Sequence, residues 1–423
     1  MSDVAPAEIA PVEVAPLEIA PVEAAQRIKT LDVLRGLAIL GILAVNAPFF
    51  AAPWQTAVNP TLEPLAITEA STWSWFVPHV FFEQKFITLF SLLFGASLFL
   101  VGGERTDLER GAVLRRRLFW LLVFGLVHGA AIWFGDILAV YAMSGFIVLF
   151  ARSWRPRTLL TVGVVTYVLL HAVGALSAGA VTLISANSVE EMRLQVWAPA
   201  AESVNATIAA FGGTFEQSLR ANFHAWTQFM PFEIFNAVPR AAAVMMIGLA
   251  LFKNGFLRGE APAAAYWACI AAGSVALALV AYQANINLGA EFEFVHMQTR
   301  GSIVNPALSI LISLLYASAL ILCVKTGALT ALTNALAPVG QMAFTNYIAQ
   351  SVIMTTIFYG GRGLGLYGEV ERDTLLAIVV GVWALQLVWS PLWLARFTMG
   401  PLEWVWRRLS YGKPLAIRRT VAA

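Results

Sequence analysis

Charge is scarce in this 423-residue chain, where Asp, Glu, Lys and Arg together make up 12% and hydrophobic residues 59%. Soluble domains carry about 25% charged residues, so a fully hydrated surface is excluded. Cysteine is scarcer still. Cys269 and Cys323 are the two present, both in apolar runs, where they read as small core residues and support neither a disulfide framework nor a metal site. The five histidines show no ligand spacing with one another or with the cysteines, so no metal is predicted. Ten-residue strands of alternating polarity are also missing, which argues against an outer-membrane barrel.

What the chain does have is long apolar runs, each near the roughly 20 residues that cross a bilayer as a helix. Ten candidates fall at about 31–52, 84–102, 116–134, 136–152, 158–185, 236–256, 262–284, 303–324, 337–359 and 374–397. The fold class predicted is an all-α polytopic membrane protein. Short cytoplasmic loops collect Lys and Arg. With the N-terminus inside, 19 of the 27 basic residues lie on the cytoplasmic side and five outside, while Arg35, Lys85 and Arg240 fall at membrane depth. Both ends are therefore expected in the cytoplasm.

Residues 1–26 repeat a five-residue Ala/Pro/Glu unit, acidic where a signal peptide would be basic, and read as a disordered arm. Residues 27–412 form a single transmembrane domain and 413–423 a basic tail. An outer-side excursion at about 186–235 is too long for a turn. Within it Phe215, Leu219, Phe223, Trp226 and Met230 recur at helical spacing, which predicts a helix in the outer interface. The segment "GPLEWVWRRLSYG", 400–412, reads as a second interfacial helix on the cytoplasmic side.

Polar residues at membrane depth are the default functional candidates. Arg35 and Asn46 lie eleven positions apart, about three turns, on the first span. His79 and Glu83 share a helix face, with Lys85 at the start of the second span. His128 lies in the third span and Asp136 at its turn into the fourth. Each has a structural alternative: Arg35 pairing with Asp32, Asp136 capping the fourth span, His128 as a hydrogen-bonded packing residue. Since isolated polar groups facing lipid would be unsatisfied, these seven residues are expected to converge on one internal cavity.

The stretches "LDVLRGLAILGILAVN", "FEQKFITLFSLLFGAS", "HGAAIWFGDILAVYAMSG", "GQMAFTNYIAQS" and "GPLEWVWRRLSYG" resemble, in order, the signature blocks of the YeiB-like family of bacterial inner-membrane proteins, a domain of unknown function. Gln341 and Phe344 stand where that family often shows Arg and Leu. The first span is also similar to the opening helix of the transmembrane acyltransferase superfamily, which implies acyl transfer from a cytoplasmic acyl-CoA donor to a hydroxyl or amine acceptor. Where the O-acetylating branch of that superfamily carries a His eleven positions after its basic residue, this chain has Asn46. The resemblance therefore leaves His79 with Glu83, or His128, as catalytic residues, and Arg35, Asn46, Lys85, Asp136, Tyr141 and Asn346 as donor- or substrate-binding residues. The partners implied are membrane lipids and a small-molecule acceptor, with no nucleic acid. The same polar set would equally serve a small-molecule transporter.

Overall fold

A computed structural model describes residues 28–419. The acidic repeat lies outside the described residues. The described chain is helical throughout apart from its connections, with one isolated bridge between Phe397 and Arg418. We label the principal helices α1 (Lys29–Ala51), α2 (Lys85–Gly102), α3 (Leu108–Val127), α4 (Leu138–Ala151), α5 (Pro156–Ala180), α6 (Phe215–Phe232), α7 (Val238–Lys253), α8 (Ala263–Gly289), α9 (Val304–Thr326), α10 (Thr330–Gln341), α11 (Ala343–Phe358), α12 (Arg372–Arg396) and α13 (Pro401–Tyr411).

Among the described residues, seven helical stretches are long and apolar enough to cross a membrane: Lys29–Ala51, Thr72–Gly102, Pro156–Leu183, Phe215–Lys253, Ala263–Gly289, Val304–Thr326 and Arg372–Arg396. Three expected spans differ in kind. α3 carries Arg115, Arg116 and Arg117, α4 is 14 residues long, and the run 337–359 is broken at Met342 into α10 and α11. Val164, Val168, Val173 and Leu176 on α5, and Val388 and Leu392 on α12, point outward, as lipid-facing helices require.

Small residues set the tightest helix crossings. A Cβ on Gly340 would lie 1.8 Å from the Asp32 carbonyl oxygen and one on Gly36 would lie 2.1 Å from that of Leu336, so α1 and α10 pack backbone to backbone. Gly95 and Gly248 do the same between α2 and α7.

The loops sort to two ends. At one end Lys253 meets Glu104 and the Trp154 carbonyl, Lys325 reaches the Gly259 carbonyl, and Lys29 bonds Asn334, which gathers the described chain ends and most basic residues. At the other end a cap forms: Asn59 bonds the Trp197 carbonyl, Arg372 reaches Leu65 and Thr56, and Gly360 bonds the Phe211 carbonyl. α6 belongs to this cap and begins in a Thr214–Gln217 capping box. It buries Ser218 and Asn222 against the Gly360 and Gly129 carbonyls, leaving Phe215 and Phe223 exposed. The helix expected there is present, with Ser218, Asn222 and Trp226 turned to the bundle and Phe215 and Phe223 facing outward.

Candidate functional site

Two cavities enter the bundle from its two ends. The larger, about 1130 Å³, occupies the chain-end half between α1, α2, α3, α11 and α13. Arg35 lines it, with Nη1 3.3 Å from Asp32 Oδ1 and Nη2 donating to Ser97 Oγ at 2.7 Å. Arg110, Arg117 and Arg407 add three further cations to the wall. Arg110 is pinned by the Leu100 and Val101 carbonyls, and Arg117 lies 4.1 Å from the Trp406 ring centroid. Deeper in, the wall becomes aromatic, with Phe90, Phe94, Tyr347 and Tyr141.

The smaller cavity, about 240 Å³, lies toward the cap. Its polar lining comprises Asn46 from α1, Gln84, Thr88 and Ser91 from the start of α2, Asp136, and Glu233 and Arg240 from the α6–α7 segment. The two cavities share Ile42, Ile137 and Tyr141 as a common wall. Tyr141 is fixed there, its hydroxyl donating to the Ile87 carbonyl at 3.0 Å and accepting from Ser91 Oγ at 3.1 Å.

Asp136 is held by three hydrogen-bond neighbours. Its Oδ1 lies 2.8 Å from His128 Nδ1 and accepts from the Leu138 amide, while Oδ2 accepts from the Ala139 amide at 2.7 Å. The carboxylate thus caps α4, where its charge suits the helix dipole. His128 is buried, and its Nε2 sits 2.9 Å from Ser351 Oγ on α11. Only Asp136 of this Ser351–His128–Asp136 chain reaches a cavity wall.

Three of the residues raised from sequence, Asn46, Asp136 and Tyr141, line the smaller cavity, and Arg35 and Tyr141 line the larger. A single cavity shared by all seven polar residues does not form. His79 Nδ1 lies 2.6 Å from Glu83 Oε2 and its ring stacks on Trp75 at 4.7 Å, outside both cavities. Lys85 is fully buried against α9, donating to the His79 carbonyl at 2.9 Å and to Asn305 Oδ1 at 2.5 Å. Lys85, at the start of α2, reaches Asn305 on α9, while His79 and Glu83 pair with each other in the stretch just before α2. Asn346 is also outside, tying α11 to α12 through Ser390 and Trp389 and bonding the Val339 carbonyl.

Residues that sequence reading left unassigned complete the walls. Arg240 was visible as a charge at membrane depth, whereas Glu233 fell within the expected excursion and gave no signal. Local backbone explains how they reach the cavity. Glu233 opens a π-helical turn, Glu233–Ala237, as His128 opens another at His128–Ile132. Such wide turns rotate side chains out of helical register and recur at functional sites. Gln84 stands at φ 67°, a left-handed conformation uncommon for a residue with a side chain, and from there its Oε1 accepts from Arg240 Nη1 at 2.5 Å.

Fold and site together define an all-helical polytopic membrane protein with a broken helix and two polar cavities that meet at mid-bundle. The chain belongs to the YeiB-like family. It is 31% identical over 411 residues to the uncharacterized protein YeiB of Escherichia coli (strain K12), covering 91% of this chain and 96% of that protein. It is likewise 31% identical over 410 residues to the uncharacterized protein YxaH of Bacillus subtilis (strain 168), covering 91% and 94%. An uncharacterized 39.9 kDa protein encoded in an amylase 3' region of Bacillus acidopullulyticus is 26% identical over 406 residues, covering 93% of this chain and 96% of that protein. Residues 251–413 match the family model described as a protein of unknown function, DUF418. No solved structure matches the chain.

Proposed function

We propose that this protein transfers an acyl group across the bacterial inner membrane, from a cytoplasmic acyl-CoA thioester in the larger cavity to a hydroxyl or amine in the smaller one. The observation that carries the reading is the shared wall at Tyr141, with Asp136 on its far side. The reading takes both chain ends as cytoplasmic, and the opening of the larger cavity among the basic loops supports it. Its volume lies above the roughly 300–1,000 Å³ of ordinary ligand sites, which suits a donor of nucleotide size. Arg35, Arg110, Arg117 and Arg407 supply cations for the donor's phosphates.

In the transfer, the acceptor oxygen or nitrogen attacks the thioester carbonyl and its proton passes to the Asp136–His128 pair. The tetrahedral oxyanion then collapses, the carbon–sulfur bond breaks, and the thiol leaves carrying a proton. Asp136 is the member of the pair that faces the acceptor, while His128 positions it. The base moves to this pair from His79, which faces neither cavity. Ser351 is buried beyond His128 and serves to orient the imidazole rather than to carry the acyl group.

Transport is the second reading, and the same wall supports it: two cavities on opposite sides of one constriction are what alternating access needs. Purified protein incubated with labelled acyl-CoA separates the two. Transfer predicts thioester loss that depends on Asp136, and no thioester consumption with any donor would leave transport as the better account.

A further inference from the structure

The smaller cavity is lined by an acidic and a basic side chain that do not meet, Glu233 and Arg240. Arg240 bonds only neutral oxygens, those of Gln84, Thr88 at 3.3 Å and Ser309 at 3.2 Å, and its Nε is buried without a partner. Glu233 lines the same wall, and among the described residues its carboxyl makes no hydrogen bond or ion pair. Asp136, the other acid there, is already engaged by His128 and two amides. Glu233 and Arg240 are seven residues apart, Glu233 opening the π-helical turn and Arg240 lying beyond it on α7, and both line this cavity without forming an ion pair with each other, which would need an N···O distance within roughly 4 Å.

A guanidinium without a carboxylate at membrane depth is costly, and a ligand that brings a carboxylate to it and an ammonium to the unbonded acid completes both groups. We propose that this cavity binds a small zwitterion of amino-acid size. Its carboxylate meets the Arg240 guanidinium and the amide nitrogen of Gln84, whose oxygen is already used. Its ammonium meets Glu233. At about 240 Å³ the cavity is smaller than the roughly 300 Å³ where drug-sized sites begin, which limits the ligand to a compact solute. As the identity of the acyl acceptor this rests on the transfer reading, whereas as a binding site it holds for transport too.

The test is binding without any thioester present. The full chain in lipid nanodiscs is titrated by calorimetry with each of the twenty protein amino acids, and with the matching amine and deaminated acid of any that binds. At least one amino acid is expected to bind, with both analogues roughly tenfold weaker or more, as loss of a charged partner dictates. Arg240→Gln should erase the preference over the amine, and Glu233→Gln the preference over the acid. Thermal unfolding of each variant verifies the fold, and if Arg240→Gln fails to fold, Arg240→Lys and Glu233→Gln decide. No binding by any amino acid to folded protein, or binding unchanged in the folded variants, overturns the proposal. Binding without thioester turnover keeps it and removes the transfer reading.

Discussion

Asp136 caps α4, and in the transfer reading it is also the proton acceptor, two duties that can be separated. As a cap it accepts from the Leu138 and Ala139 amides, which an asparagine oxygen can do in part; as a proton acceptor it cannot be replaced by an amide. Asp136→Asn is therefore expected to lower thioester turnover by about 10²- to 10⁴-fold while costing on the order of 1 kcal/mol of stability, read by product assay and thermal unfolding. His79→Ala should leave turnover at the wild-type level, and a loss comparable to that of Asp136→Asn would return the base to the 72–85 segment. Sequence exposed Arg35, His128 and Asp136 because charge and imidazole stand out in apolar runs. Lys85 and Asn346, raised beside them, tie helices together outside both cavities, and in one dimension such buried polar groups look the same as groups that line a cavity. Ser351 was invisible for the opposite reason: a serine in an apolar helix carries no charge to mark it.

At the scale of elements, the run 337–359 reads as one continuous span by hydropathy, yet it breaks at Met342 where a surface helix intervenes. Glu403 of α13 enters the gap and accepts from the Phe344 and Thr345 amides at 2.7 and 3.1 Å and from Thr345 Oγ1 at 2.5 Å, capping α11 from a distant part of the chain. No local pattern encodes such a cap, which is why the break was not legible while the amphipathic α13 was. Glu403→Ala should cost about 1–2 kcal/mol, seen as a lower Tm. Burial also raises the Glu403 carboxyl above its ordinary 4.5. The folded protein then holds that proton more tightly than the unfolded chain, so this stabilising contribution is complete below about 4.5 and is lost as pH rises through the raised value. Glu403→Gln, which cannot ionise, is expected to flatten that part of the stability-against-pH curve, and an unchanged slope would show that Glu403 does not set it.

For the whole molecule, the proposal assigns the cavity that opens among the basic loops to the cytoplasm and the other to the periplasm. A cysteine at position 412 should react with an impermeant thiol reagent only from the cytoplasm, and labelling only from the periplasm would invert the topology and exchange the donor and acceptor sides. Tyr141 stands between the two cavities with Ile42 and Ile137, and its hydroxyl is anchored once as donor, to the Ile87 carbonyl, and once as acceptor, from Ser91 Oγ, so the ring forms a partition. Tyr141→Ala removes the ring that both cavities share and should join them into one passage. Under acyl transfer, the wild-type protein in proteoliposomes is closed to small solutes and moves only the acyl group, so Tyr141→Ala should raise leakage of a trapped small amino acid while lowering transfer, because the thioester and acceptor lose the wall that aligns them. Under transport the wild type already passes the solute, and the substitution converts coupled uptake into passive leak without any covalent product. Wild-type flux measured beside thioester consumption thus assigns the partition its role, and a Tyr141→Ala protein that is folded, tight and fully active would show that the two cavities do not communicate through this residue.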